Sequence, residues 1–380
     1  MELNEQLFKL IQFEISGKAI KIEKAEIDIE KIIGLAKRHD LAHLVSDALI
    51  RNGIVTEKSS DYKNIKKLKM VAIYRETQIN ETTKKIADIF QQNKIRYIPL
   101  KGSVVRGFYP EPWMRTSADI DVLIKREDFD KATELLFQND FTTENERTSY
   151  DMGFYFGKTH LELHHSLCRN SDNINDILKD VWDNAAQKDS YEYAMEKEFF
   201  VFHHITHMLS HILDGGCGIR PFIDLWILRN KKYYDEDKLK PFLEKCGLVR
   251  YYENICELSE VWMEGKPHNE VTESLQKYIL KGGTYGSEEN GHEIGVAANN
   301  QSRFKYIWNL AFPDYKFMSY VYPSVKKHKI LLPLCYVHRI LSKLFGKERK
   351  RIRGRIKNIN SSNEQNVEEV ASLIKDLGLN

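Results

Sequence analysis

No Cys-x-x-Cys pair, no long apolar run and no marked charge imbalance occur in this chain of 380 residues. Its five cysteines, Cys168, Cys217, Cys246, Cys256 and Cys335, are odd in number and scattered. Such usage excludes a zinc knuckle and a disulfide framework, and it suits a reducing compartment. The longest uncharged apolar run toward the C-terminus, Ile330 to Val337 (ILLPLCYV), is far short of the ~20 residues a membrane-crossing helix needs. The opening MELNEQLFKLIQFEISGK has no basic segment ahead of an apolar block. No secretory signal is expected, and a cytoplasmic location is. A formal net charge of +2, from 57 basic and 55 acidic residues, names no partner by itself. Internal repeats and low-complexity tracts are also missing. What is present, 42% hydrophobic and 29% charged residues, describes an ordinary globular chain long enough for two or three cored domains.

Residues 1–93 read as a helical region. Apolar residues recur at three- and four-residue spacing in Ile27 to Lys37 and Leu41 to Ile50, and Lys63 to Gln92 is a long charged helix free of Gly and Pro. Residues 94–190 differ in character. Arg96 to Leu100 (RYIPL) and Ala118 to Ile124 (ADIDVLI) are strand-like, Gly102-Ser103 opens a helix, and Glu127 to Gln138 is a second helix. Ser149 to Phe156 and Thr159 to His165 form a hairpin around Gly157-Lys158. Residues 191–342 return to helix, at Glu196–Leu213, Ile219–Arg229, Asp235–Lys245 and Val249–Glu264, and the Gly- and Asn-rich stretch Gly282 to Asn300 reads as a long loop. A basic tail and a short terminal helix, Val367 to Leu377, occupy 343–380. The fold class expected is α+β, with a small mixed sheet between helical regions.

The chemistry is carried by the strand ADIDVLI. Successive side chains alternate faces, so Asp119 and Asp121 point one way while Ile120, Val122 and Ile124 point into the core. Two adjacent carboxylates repel unless a cation lies between them, and hard oxygen ligands suit Mg²⁺ or Mn²⁺. In THLELHH, His160, Glu162 and His164 likewise share the face opposite Leu161 and Leu163. If the two strands are neighbours, Glu162 adds a third carboxylate, and three can hold two metals for phosphoryl transfer. Gly102 permits close backbone approach, Ser103 adds a hydroxyl, and Lys101 and Arg115 offer phosphate-binding charge. An acidic-x-acidic triplet alone is commonplace with 55 acidic residues. The ordered set carries the weight.

That order resembles the polymerase β-type nucleotidyltransferase superfamily, with Gly-Ser, Asp-x-Asp and then a separate acidic residue. More narrowly, AKRHDLAHLV, IPLKGSVVRGFYP, RTSADIDVLI, LELHHSL, GIRPFIDLWIL and LLPLCYVHRI resemble the bacterial uncharacterised nucleotidyltransferase-like family, across about residues 35 to 340. One departure is the separation of Ser103 from Asp119 by fifteen residues, Val104 to Ala118, slightly more than in compact superfamily members. The resemblance implies Asp119, Asp121 and Glu162 as catalytic metal ligands, and Lys101, Gly102, Ser103 and Arg115 on the triphosphate. It implies Mg²⁺ or Mn²⁺ as cofactor and a nucleoside triphosphate as substrate. The reaction would be attack of an acceptor hydroxyl on the α-phosphorus, with pyrophosphate leaving.

His203, His207 and His211 lie four apart on one helix face, as a zinc site would, or as a polar stripe or hydrogen-bonded core histidines. With the resemblance in view, His164, His207 and Asp224 are candidates for the substrate side. Asp224 has a structural alternative, pairing with Arg220 at i−4. The run 343–357 carries eight Lys or Arg against one Glu. It fits RNA or phosphate, a membrane-surface helix, or a solvated face. Two other functions stay open: a catalytically silent nucleotide- or partner-binding relative, and a toxin-like protein that binds or modifies transfer RNA.

Overall fold

A computed structural model describes residues 2–17, 27–143, 150–167, 172–284, 286–297, 312, 313, 315, 318, 322, 324, 325, 328–345 and 364–379. The chain divides into two compact units. One comprises Met1–Met208 with Ile219–His268, and the other Leu209–Gly218 with Asn269–Asn380.

The first unit begins with helices α1 (Leu3–Ser16), α2 (Ile29–Arg38), α3 (Ala42–Arg51) and α4 (Tyr62–Gln92). The Asp28 side chain accepts from the Lys31 amide and so satisfies one of the orphan donors at the start of α2. With nothing to break it, α4 runs for 31 residues, a length of ~46 Å. It packs on α3, where Lys69 meets Asp47 at 2.8 Å.

Six strands follow: β1 (Tyr97–Pro99), β2 (Asp119–Ile124), β3 (Asp151–Phe156), β4 (Thr159–His164), β5 (Ala185–Asp189) and β6 (Glu192–Met195). They form one sheet in the order β3-β4-β2-β1-β6-β5. β2 is antiparallel to β1 and parallel to β4, and β3 and β4 are an antiparallel hairpin. Gly157, at φ 60°, supplies the hairpin turn's first central residue, where other side chains would be strained. Between strands lie α5 (Gly102–Val105), α6 (Phe129–Gln138) and α7 (Asp172–Leu178). Ile120, Val122, Ile124, Phe154, Leu161 and Leu163 of the sheet pack with Ile79, Ile86, Ile89 and Phe90 of α4 and with Phe129, Ala132 and Leu136 of α6. Each Ile, Leu, Val and Phe among them contributes about 1.5–3 kcal/mol by leaving water. One face of the sheet is therefore committed to this core, and the opposite face of β2 carries Asp119 and Asp121 beside the buried Leu123.

After the sheet come α8 (Lys197–Leu213), α9 (Arg220–Asn230), α10 (Glu236–Cys246) and α11 (Val249–Glu264). α1 packs against α3 and α11, with Phe8 stacked on Trp262 at 4.6 Å between ring centroids. The expected α+β class holds, with a mixed sheet and helical regions. The β5–β6 hairpin was not expected, because AAQKD shows neither alternation nor β-branched residues.

The second unit holds α12 (Glu270–Gly282), α13 (Glu288–Ala297), α14 (Leu332–Phe345) and α15 (Glu364–Asp376). The stretch expected as a long loop, Gly282 to Asn300, contains α13 instead. Its glycines serve contact rather than looseness. A Cβ on Gly286 would stand 2.6 Å from the Gly215 carbonyl carbon, and one on Gly282 2.7 Å from the Gly215 oxygen. Helix composition rules misread them because the constraint comes from the 211–218 segment. Most of the basic run, 346–357, lies outside the described residues.

Candidate functional site

Parallel pairing of β2 with β4 sets Asp119 opposite His160 and Asp121 opposite Glu162. Because alternation is shared across a ladder, all four side chains project from the face away from α4. Two groups could each hold a metal ion, with ligand atoms within 4.8 Å of one another: Asp119, His160 and Glu162, and Asp121, Glu162 and His164. Glu162 belongs to both. Asp121 is buried, while the Glu162 side chain keeps 32% of its surface in solvent. The face thus runs from a buried carboxylate to an open one.

The Lys-Gly-Ser turn delivers a cation to this face. Lys101 takes φ 44° and ψ −117°, a conformation costing a side-chain-bearing residue on the order of 1–3 kcal/mol. The turn is tied down by the Leu100 amide donating to the Asp121 carbonyl and the Ser103 amide donating to the Leu100 carbonyl. From there Lys101 Nζ reaches Asp121 Oδ1 at 2.7 Å. His164 Nε2 lies 3.0 Å from the same oxygen and 3.4 Å from Glu162 Oε2. Its Nδ1 is 3.8 Å from Asp151 on β3.

These contacts separate the two aspartates electrically. Burial alone would raise the Asp121 carboxyl, but Lys101 and His164 hold it far below the usual range. Asp119 goes the other way, raised by burial and by the charge of Asp121, with Lys101 only partly offsetting them. Burial works against charge on Lys101 and His164. The carboxylates outweigh it, Asp121 first, so both cations are stabilised. The site is an acidic face with one built-in ammonium.

Arg115 is buried and committed to partners within the protein. Its Nε and Nη2 donate to Asp224 at 2.8–3.0 Å, and Nη1 donates to the Thr116 carbonyl at 2.8 Å. A Cβ on Gly102 would sit 3.4 Å from Arg115 Nη1 and 3.5 Å from Ser117 Cβ, which is ordinary contact. Asp224 has no exposed surface, and Tyr109 donates to it at 2.6 Å. Burial would raise its carboxyl, yet Arg115 keeps it lowered. Its ion pair is therefore with Arg115, across 109 residues, and not with Arg220 one turn away. Arg220 instead meets Asp40 at 3.1 Å and donates to the Thr116 carbonyl. Arg106 completes the support by donating to the Arg115 carbonyl and, at 2.7 Å, to Ser117 Oγ. The run Arg115-Thr116-Ser117 that leads into β2 is held by three arginines.

The remaining sequence candidates are Ser103, at the turn itself, and the histidines of α8. Ser103 is half-buried on α5, four residues long, and its amide is already used within the turn. His203 and His207 lie on α8 with ring centroids 6.1 Å apart. Neither belongs to a metal-capable group among the described residues, and nor does His211. Sequence reading named His160 as part of the polar face without giving it a role. It did not single out Asp151, Tyr109 or Asp40. The alternation of THLELHH could have promoted His160, whereas nothing local marks the other three.

A family described as uncharacterised nucleotidyltransferase matches residues 25–264, more than half of the chain. The chain belongs to that family. The matched region includes every candidate from Lys101 to Asp224. No curated protein and no solved structure matches the chain. Membership supports nucleotidyl transfer as the general activity and a nucleotide as substrate. Among the described residues no helix is long and apolar enough to cross a membrane.

Proposed function

We propose that this family member transfers a nucleoside monophosphate from a nucleoside triphosphate to an acceptor hydroxyl, in the manner of polymerase β-type enzymes. The observation that carries this reading is the β2–β4 register, which gathers Asp119, Asp121 and Glu162 on one face beside Lys101. The donor set fits a divalent cation: three carboxylates, each within 4.8 Å of an imidazole nitrogen of His160 or His164, in two groups that share Glu162. Asp119, Asp121 and Glu162 would hold Mg²⁺ or Mn²⁺, which when bound neutralises triphosphate charge and makes the acceptor hydroxyl a better nucleophile.

Lys101 has a second anion to bind once phosphate arrives, since its ammonium can exchange one Asp121 oxygen for a phosphate oxygen. Gly102 and Ser103 edge the same turn and meet the triphosphate there. Glu162, the more open carboxylate, receives the acceptor proton, and His164 fixes its orientation through the 3.4 Å contact. The oxygen of the acceptor bonds to the α-phosphorus, the bond to the β-phosphate bridging oxygen breaks, and pyrophosphate leaves. Arg115 serves by holding Thr116 and the turn, with Asp224 as its counter-charge.

The test is incubation with each α-phosphate-labelled nucleoside triphosphate, Mg²⁺ and a panel of hydroxyl acceptors. Label transfer that disappears in Asp119→Ala and Asp121→Ala supports the reading. Transfer unchanged in both variants refutes the site. Metal-dependent nucleotide binding without turnover would instead identify a catalytically silent relative.

A further inference from the structure

The N-terminal part of α4 has a composition that its packing does not explain. From Tyr62 to Arg75 the sequence YKNIKKLKMVAIYR carries Lys63, Lys66, Lys67, Lys69 and Arg75 and no acidic residue. Only part of that charge is used internally. Lys69 pairs with Asp47, and Arg75 lies 3.9 Å from Asp40. The ammonium groups of Lys37, Lys63 and Lys67 meet no carboxylate among the described residues. On the same helix Met70 is 53% exposed, Val71 43% and Tyr74 63%.

Helical geometry sorts these residues. Lys63, Lys67, Met70 and Tyr74 follow i, i+4, i+7, i+11 and therefore form one outward stripe ~17 Å long. Beside it a cavity of about 240 Å³ is lined by Lys37 of α2, by Asp40, by Lys67, Val71 and Arg75 of α4, and by Thr116. Thr116 stands three residues before Asp119, so at most ~11 Å of chain separates the groove from the carboxylate face.

We infer that this stripe and groove form a binding face for single-stranded nucleic acid. Charge complementarity chooses the occupant. Several cations in a row, left without counter-charge, match a polyanion with regularly spaced phosphates. An exposed tyrosine within that row offers a stacking surface for a base, with Met70 and Val71 against sugar or base edges. An acidic protein would use the apolar patch equally well, but a neutralised mixed-charge rim would serve it better. Here Asp40, the one carboxylate among the described residues that line the groove, is already engaged by Arg75 and Arg220, and Lys37, Lys63 and Lys67 stay without counter-charge among those residues. The inference stands on its own observations, whatever reaction the carboxylates perform.

The experiment is fluorescence anisotropy of the full chain with a labelled short oligouridylate and a labelled short oligothymidylate, across about 50–200 mM salt. The expected result is binding whose logarithm falls linearly with log salt. In the combined variant Lys37→Ala, Lys63→Ala, Lys67→Ala the slope should flatten by about 2, three phosphate contacts at ~0.7 each. Tyr74→Ala should weaken binding about tenfold with the slope unchanged. Asp119→Ala, which disables the proposed catalytic face, should bind as the wild type does, so a failed transferase reading leaves this result readable. Stronger binding of one oligonucleotide assigns RNA or DNA. The inference is overturned if neither binds, if the triple-lysine and Tyr74 variants bind like the wild type, or if polyglutamate binds as tightly through the same residues.

Discussion

The Arg115–Asp224 pair offers the sharpest energetic prediction. Asp224→Asn preserves shape but removes charge. Arg115 is then a guanidinium deep in the protein without a counter-charge, and Tyr109 loses an ionised acceptor at 2.6 Å. Removing one partner of a buried pair costs about 3–5 kcal/mol, because the other charge stays desolvated and unpaired. Removing both together, in Arg115→Met with Asp224→Leu, should cost only about 1–3 kcal/mol, mostly for the stranded Tyr109 hydroxyl, since Arg220 still donates to the Thr116 carbonyl. Arg115→Met and Asp224→Leu alone should each cost about 3–5 kcal/mol, as either leaves the other partner unpaired, so the two should couple by at least ~3 kcal/mol. Urea unfolding followed by tryptophan fluorescence reads the relevant unit, since Trp113, Trp182, Trp226 and Trp262 all belong to it. A loss under ~1 kcal/mol in Asp224→Asn, or coupling below ~0.5 kcal/mol, would show that solvent reaches the pair and that it does not clamp the approach to β2.

Other outcomes follow from single positions. Burial pushes the Glu14 carboxyl up to about 7 despite Arg51 at 3.0 Å. The folded chain thus holds that proton more tightly than the unfolded one, so this group's contribution to stability is full below about pH 4.5 and is lost as pH rises through about 7. Denaturation at several pH values should show Glu14→Gln abolishing that part of the slope. Gly286→Ala must displace the 215–216 backbone, because its Cβ would lie 2.6 Å from the Gly215 carbonyl carbon; a loss above ~2 kcal/mol is expected in thermal unfolding. Gly34→Ala, in the interior of α2 with nothing within 4 Å, should gain about 0.5–1 kcal/mol in the same assay. Gly102→Ala meets only ordinary contacts and should cost under ~1 kcal/mol of stability. A nucleotide affinity that nevertheless falls tenfold or more would locate the triphosphate against this turn.

Much of the site was legible because it depends on period-two alternation. ADIDVLI and THLELHH each declare a core face and a polar face, and parallel pairing then makes the polar faces adjacent. Helices α2, α4 and α8 to α11 were legible for the same reason at their own period, and their bounds fall close to those read from sequence. What escaped was set by distant chain. Asp224 looks equally ready to pair with Arg220, and only the fold brings Arg115 to it. Lys101 gives no local sign that its backbone will take a positive φ to aim at Asp121. The glycines of 282–291 read as loop because their partner, the 211–218 segment, lies about seventy residues upstream. β5 was missed because an exposed edge strand of Ala, Gln, Lys and Asp has no face to bury.

The central claim is that Asp119, Asp121 and Glu162 together hold a divalent cation. Electron paramagnetic resonance titration of the purified chain with Mn²⁺, with and without nucleoside triphosphate, tests it most directly. Specific Mn²⁺ binding that strengthens with nucleotide and weakens at least tenfold in Asp121→Asn and in Glu162→Gln is the predicted result. Mn²⁺ affinity unchanged in both variants would contradict the account.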